Sequence, residues 1–131
     1  MIGLDTNVLV RYLTQDDPKQ AERANNLILS QCTIQEPGQI ALVVLCELVW
    51  VLRGAYGYPK ALVIETMENL LASRELEIEN ASIAASALLA FKRGPADFAD
   101  YVIVFTNWAA GCELTYSFDR KLAKHRFVRI P

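Results

Sequence analysis

The sequence predicts an α/β fold with a mostly parallel sheet of four to five short strands flanked by helices. Three observations predict it. Short apolar or alternating runs recur between longer helical stretches, the order that builds a parallel sheet. The 131 residues suit one domain and suffice to bury a substantial core. A hydrophobic content of 53% excludes a disordered chain. No repeat, low-complexity segment or linker divides residues 1–131, so they read as a single domain.

The elements follow in order. Ile2 to Leu4 read as a short buried strand, and Thr6 and Asn7 as caps of a helix carrying Val8, Leu9, Tyr12 and Leu13. Asp17, Pro18 and Gln20 start a second helix that runs to Ser30 and buries Ala21, Ala24, Leu27 and Ile28. Glu36-Pro37-Gly38 is a loop. Ile40 to Leu42 form a strand and Val43 to Tyr56 a helix. Their border has no period to mark it, because the run is continuously apolar. Gly57-Tyr58-Pro59 breaks the chain before a helix to Leu71, with Leu62, Val63, Met67, Leu70 and Leu71 on one face. Leu76 to Ile78 alternate as a strand. Asn80 caps a helix to Phe91 whose apolar stripe is Ala84, Ala85, Leu88 and Leu89, and Gly94-Pro95 stops it. Asp97 caps a helix from Phe98 to Ala109, with Gly111 at its end. Glu113 to Tyr116 is a strand, Asp119 caps a short helix to Lys124, and Phe127 to Ile130 close the sheet.

Composition narrows the class further. The cysteines Cys32, Cys46 and Cys112 are scattered, with no C-x-x-C, which suits a reducing compartment and offers no zinc site. There is no signal-peptide pattern. The longest apolar region, Ile40 to Leu52, is too short to span a bilayer and carries Glu47 at its middle. A soluble cytoplasmic protein is expected, with no membrane partner. The net charge of −2 conceals an asymmetry: every acid lies before residue 120, and Arg120, Lys121, Lys124, Arg126 and Arg129 follow with no acid among them. Such an end either attracts a polyanion or is simply solvated.

Four acidic places carry the candidate chemistry. Asp5 sits at the end of the first strand, where ligands bind in α/β sheets, although a turn or cap role also fits it. Glu47 lies in Leu45-Cys46-Glu47-Leu48-Val49-Trp50. An ionised carboxylate there is costly unless it is paired, binds a metal or is turned to water at a polar edge. Pairing with Arg11 or Arg53 is one such alternative. Asp97 and Asp100, three apart on a helix, are neighbours on one face and repel unless a cation or the helix N-terminus offsets them. Asp119 follows a strand, as Asp5 does, and also fits a cap. Carboxylates clustered together need charge compensation. An oxygen-only set suits a hard cation, Mg²⁺ or Mn²⁺. His125, the single histidine, has no second His or nearby thiol to make a metal site with.

Asp5-Thr6-Asn7, Glu47 in its hydrophobic helix, Ala96-Asp97-Phe98-Ala99-Asp100-Tyr101-Val102-Ile103 and Ser117-Phe118-Asp119-Arg120 together resemble a PIN domain, of the VapC-type ribonuclease toxins of toxin–antitoxin pairs. The resemblance covers nearly the whole chain and implies a three-layer PIN-like α/β fold. It implies that Asp5, Glu47, Asp100 and Asp119 form the acidic quartet, catalytic and metal-holding, with Asp97 as an accessory. Asn7, Thr6 and Ser117 are implied as supporting residues. The implied activity is Mg²⁺- or Mn²⁺-dependent endoribonuclease cleavage. Arg120, Lys121, Lys124 and Arg11 are the expected contacts to the RNA backbone. A small antitoxin protein and a homodimer are the implied partners. Two other readings stand beside this one. A phosphoryl-transfer protein with an acidic Mg²⁺ pocket would use Asp5 as nucleophile, but Asn7 replaces the second Asp of the dehalogenase-like pattern. A non-catalytic PIN-like binding module would not need all four acids.

Overall fold

The computed structural model describes residues 1–131 and resolves into two compact units, Met1–Glu79 and Asn80–Pro131. The first unit opens on a single parallel bridge, Gly3 to Gln39, in place of a full first strand. It continues through helix α1 (Thr6–Thr14), α2 (Pro18–Gln31), strand β1 (Gly38–Ile40), α3 (Leu42–Gly54), α4 (Lys60–Ala72) and β2 (Leu76–Ile78). β1 and β2 are parallel, with Ile40 opposite Ile78, and the Gly3 bridge extends the pairing on the other side of β1. Leu9, Ile40, Leu45, Leu48, Leu52, Val63 and Met67 are buried. In this unit α1 packs on α2 and α3, and α3 on α4.

Local chemistry explains the helix ends. Asp17 accepts the Gln20 backbone N–H at 3.1 Å, with Pro18 in the first helical position. α1 stops at Gln15, which takes a left-handed conformation at φ 57° and returns its side-chain amide to the Tyr12 carbonyl at 2.7 Å. α1 also starts one residue earlier than its expected caps: Asp5 occupies the cap position, and Thr6 is already helical. β1 begins at Gly38, which the sequence assigns to a loop. A Cβ there would lie 2.6 Å from the Cys32 Sγ and 3.0 Å from the Leu4 Cδ1, so glycine lets the strand lie against both.

The second unit runs α5 (Ala81–Arg93), α6 (Phe98–Ala109), β3 (Thr115–Tyr116), a 3-10 turn (Leu122–Lys124) and β4 (Val128–Arg129). β3 and β4 are parallel, so every strand pair in the protein is parallel. The short helix expected after Asp119 is this 3-10 turn. α5 packs on α6, with Phe91 and Phe98 edge to face at 6.2 Å. Ala84, Ala87, Phe91, Phe98, Tyr101, Val104, Leu122 and Val128 are buried. Three residues assigned to apolar stripes, Leu27, Leu62 and Leu89, are instead exposed, as is Ala85. On α5 the buried face passes through Ala87 and Phe91 rather than Ala85 and Leu89. No helix is long and apolar enough to cross a membrane.

An ion-pair cluster locks α1 to the end of α3. The Tyr56 hydroxyl donates to Asp16 at 2.6 Å, and Arg11 lies 3.0 Å from the same carboxylate. The bonds from Tyr56, then Thr14 and Arg11, hold the Asp16 carboxyl down from 3.8 to about 2. A depressed folded-state pKa stabilises the fold above the unfolded value of 3.8, and that contribution disappears as pH falls through about 2. Thermal melts of the wild type and Asp16→Asn should therefore differ at neutral pH and converge in strong acid. Melting curves that stay equally far apart at every pH would contradict this.

Candidate active site

The first unit supplies Asp5 and Glu47. Asp5 stands at the N-cap of α1, but its carboxylate makes no capping bond; only its carbonyl accepts, from Val8 N–H at 3.1 Å and Leu9 N–H at 3.3 Å. The side chain is exposed and remains available as an anionic ligand at a helix N-terminus. Thr6 is the buried polar residue of the core, at 6% exposure, and its hydroxyl donates to Glu47 Oε1 at 3.0 Å. Glu47 itself is exposed, between buried Cys46 and Leu48. The alternative in which α3 turns it to water is the one the structure adopts. Arg11 is not its partner: the guanidinium serves Asp16, Tyr56 and Gln20, the last at 2.7 Å. Thr6 thus fixes one oxygen of Glu47 and leaves the other free of that bond. Asn7 is exposed on the next residue.

The second unit supplies Asp97, Asp100 and Asp119. They line one cavity of about 360 Å³ together with Pro95, Ala96, Arg120 and Lys121. Asp97 is the N-cap of α6, and Asp100 Oδ2 accepts the Asp97 backbone N–H at 3.3 Å. Asp119 Oδ1 accepts the N–H groups of Lys121 at 2.8 Å and Leu122 at 3.2 Å, which fastens the turn into Leu122–Lys124. Ser117 Oγ accepts the Asp119 N–H at 3.0 Å and sets the entry to that turn. Behind the cavity, the buried Tyr101 hydroxyl accepts the Ala96 N–H at 3.2 Å and holds the loop ahead of Asp97. Tyr101, part of the stretch 96–103 that carries the family resemblance, thus belongs to the site's frame.

The electrostatics single out Asp100. Burial pushes its carboxyl above the usual carboxylate range, and the negative charges of Asp119 and Asp97 push it the same way, against the Asp97 backbone bond. Within neither unit do three or more His, Cys, Asp or Glu side chains form a closed metal-holding group. Asp119 instead spends one oxygen on backbone N–H groups. The donor set still fits a hard divalent cation: every candidate ligand offers oxygen, and the like-charge repulsion on Asp100 is what such an ion relieves.

Asp97, Asp100 and Asp119 share one cavity with Arg120 and Lys121, an arrangement whose acids suit a cation and whose cations suit a phosphate. The family model for the PIN domain matches residues 2–128, and the chain belongs to that family. PIN domains are generally nucleases and typically use divalent metals, so the chain has the fold of a hydrolase that acts on nucleic acid. No curated protein and no solved structure matches it significantly.

Proposed function

We propose that this protein is a Mg²⁺- or Mn²⁺-dependent endoribonuclease, a toxin of the VapC type, in which Asp5, Glu47, Asp100 and Asp119 serve one reaction. The observation that carries the reading is Asp100, whose carboxylate is disfavoured by burial and by two neighbouring acids in a cavity that cations also line. Asp100 and Asp119 are the primary ligands of the second unit, Asp97 is the accessory one, and Asp5 and Glu47 complete the set. When bound, the ion acidifies water and offsets negative charge on the phosphate and the leaving oxygen.

The chain's own residues do the rest. Thr6 holds Glu47 in one orientation, and Ser117 holds the turn that presents Asp119. A carboxylate of the set accepts the proton of the attacking water. Arg120 and Lys121 offset the repulsion between the acids and the RNA backbone. As a toxin, the protein acts in the cytoplasm, in keeping with its three free thiols. A small antitoxin protein and a second copy of the chain are its partners. The exposed Val43 and Trp50, on the same helix as Glu47, offer apolar surface for such contacts.

The test is cleavage of a labelled single-stranded RNA. Products should form with Mg²⁺ or Mn²⁺, stop with EDTA and return on adding excess metal. Cleavage that continues in EDTA would refute the mechanism.

A further inference from the structure

The second unit holds another cavity, of about 630 Å³, and Pro95 lines both it and the acidic one. Its chemistry is the reverse. Arg93, Lys124 and Arg126 line it, and no Asp or Glu does. None of the three pairs with a carboxylate. Three cations drawn together without a counter-charge make a positive focus that favours an anion.

Part of the remaining wall is aromatic, beside Ser86, Leu89 and Ala90 of α5. Tyr101 and Phe105 line the cavity with His125, whose ring lies 5.5 Å from that of Phe105 and 6.0 Å from that of Tyr101. The aromatic surface continues outward: His125 lies 5.3 Å from Phe127, and Phe127 stacks flat on Trp108 at 4.1 Å. The Arg126 guanidinium sits 4.8 Å from the Phe127 ring centre. His125 accepts the Phe127 N–H on Nδ1 at 3.1 Å, which leaves Nε2 to carry the proton of a neutral ring. A cavity of this size falls in the range that admits a small organic ligand. Aromatic faces interleaved with cations form the surface that unpaired nucleotides recognise, by stacking and by backbone charge.

We propose that this cavity is a second nucleic-acid site, which takes an unpaired nucleotide of the RNA strand with its phosphate on Arg93, Lys124 and Arg126 and its base against Phe105 and His125. The identity of the strand rests on the endoribonuclease reading, but the site does not use the acids. A strand cut in the acidic cavity would be anchored beside it, so the two cavities would act on one substrate.

Binding without cleavage tests this. A fluorescein-labelled twelve-nucleotide single-stranded RNA is titrated in EDTA, with anisotropy read at several salt concentrations. Arg93→Ala/Arg126→Ala should weaken binding at least tenfold and flatten the dependence of log affinity on log salt by about 0.7 per lost phosphate contact. Phe105→Ala should weaken binding at least fivefold with little change in that slope, and Arg126→Gln provides a milder variant of an exposed side chain. A control with equal charge loss elsewhere, Lys19→Ala/Arg74→Ala, should bind as the wild type does. The proposal is overturned if the wild type shows no binding, if Arg93→Ala/Arg126→Ala binds normally, or if the control loses as much. If these results hold while no RNA is cleaved with metal present, the nuclease reading fails and this site stands. Normal cleavage with unaltered binding by the cavity variants would remove this site alone.

Discussion

Asp100→Asn is expected to lower RNA cleavage by on the order of 10³-fold, the scale of losing one charge-stabilising group in an active site. The same substitution should raise the melting temperature measured without metal. The sign follows from the Asp100 pKa, which lies above its unfolded value of 3.8 because of burial and the charges of Asp119 and Asp97. A carboxyl whose folded pKa is raised costs stability once pH exceeds the unfolded value, because the folded state must carry a charge it disfavours. Asparagine keeps the shape and removes that cost. Asp97→Asn should leave more activity than Asp100→Asn, because Asp97 is proposed only as the accessory ligand. Activity and stability that fall together in Asp100→Asn would mean that the side chain is structural, and the role assigned to it here would be wrong.

Gly94→Ala is expected to destabilise the protein by about 1–3 kcal/mol, the usual cost of forcing a methyl into a packed core. A Cβ at Gly94 would run into the Tyr101 hydroxyl and lie 3.1 Å from the Ala90 carbonyl. Tyr101 is only 2% exposed, and its hydroxyl is the acceptor for the Ala96 N–H, so it has little room to give way. Tyr101→Phe alone should cost about 1–3 kcal/mol by leaving that buried N–H without a partner. The double variant should cost less than the sum of the two, because phenylalanine removes the atom that the new methyl strikes. Chemical denaturation of the four proteins measures this directly. Strict additivity would show that Gly94 and Tyr101 do not share the contact. The loop they frame leads into Asp97, so Gly94→Ala should also reduce cleavage more than its stability loss explains.

Much of the fold was legible because its punctuation is strong. Asp17 with Pro18 opens α2, Gly94-Pro95 separates α5 from α6, and α6 spans Phe98–Ala109 as its pattern implies. Weaker signals shifted. The strand read at Ile2 to Leu4 is a single bridge, since two or three residues leave the pairing to the neighbouring strand. Gly38 reads as a loop residue beside Pro37, yet it is a strand residue whose missing side chain makes room for Cys32 and Leu4. Periodicity shows that a helix has an apolar stripe without fixing its exact direction. On α5, small Ala87 and distant Phe91 are buried where Leu89 was expected.

The site was legible in part for the same kind of reason. Asp97 and Asp100 are helical neighbours by spacing alone, and the three-dimensional fold adds Asp119 to their cavity. Glu47 in an apolar run admitted either a buried pair or an exposed edge, and only the rotation of α3 decided between them. The basic cavity could not be read from the sequence, because Arg93 closes α5 while Lys124, His125 and Arg126 lie far along the chain. The single hint was a histidine set between cations and followed by Phe127.

The proposed function requires that Asp5, Glu47, Asp100 and Asp119 serve the same ion. Calorimetric titration of the metal-free protein with Mn²⁺ tests that most directly, using Asp5→Asn, Glu47→Gln, Asp100→Asn and Asp119→Asn in turn. Each substitution should weaken binding, with those in the first unit affecting the same event as those in the second. Unchanged Mn²⁺ affinity in Asp5→Asn and Glu47→Gln, beside a loss in the other two, would contradict it.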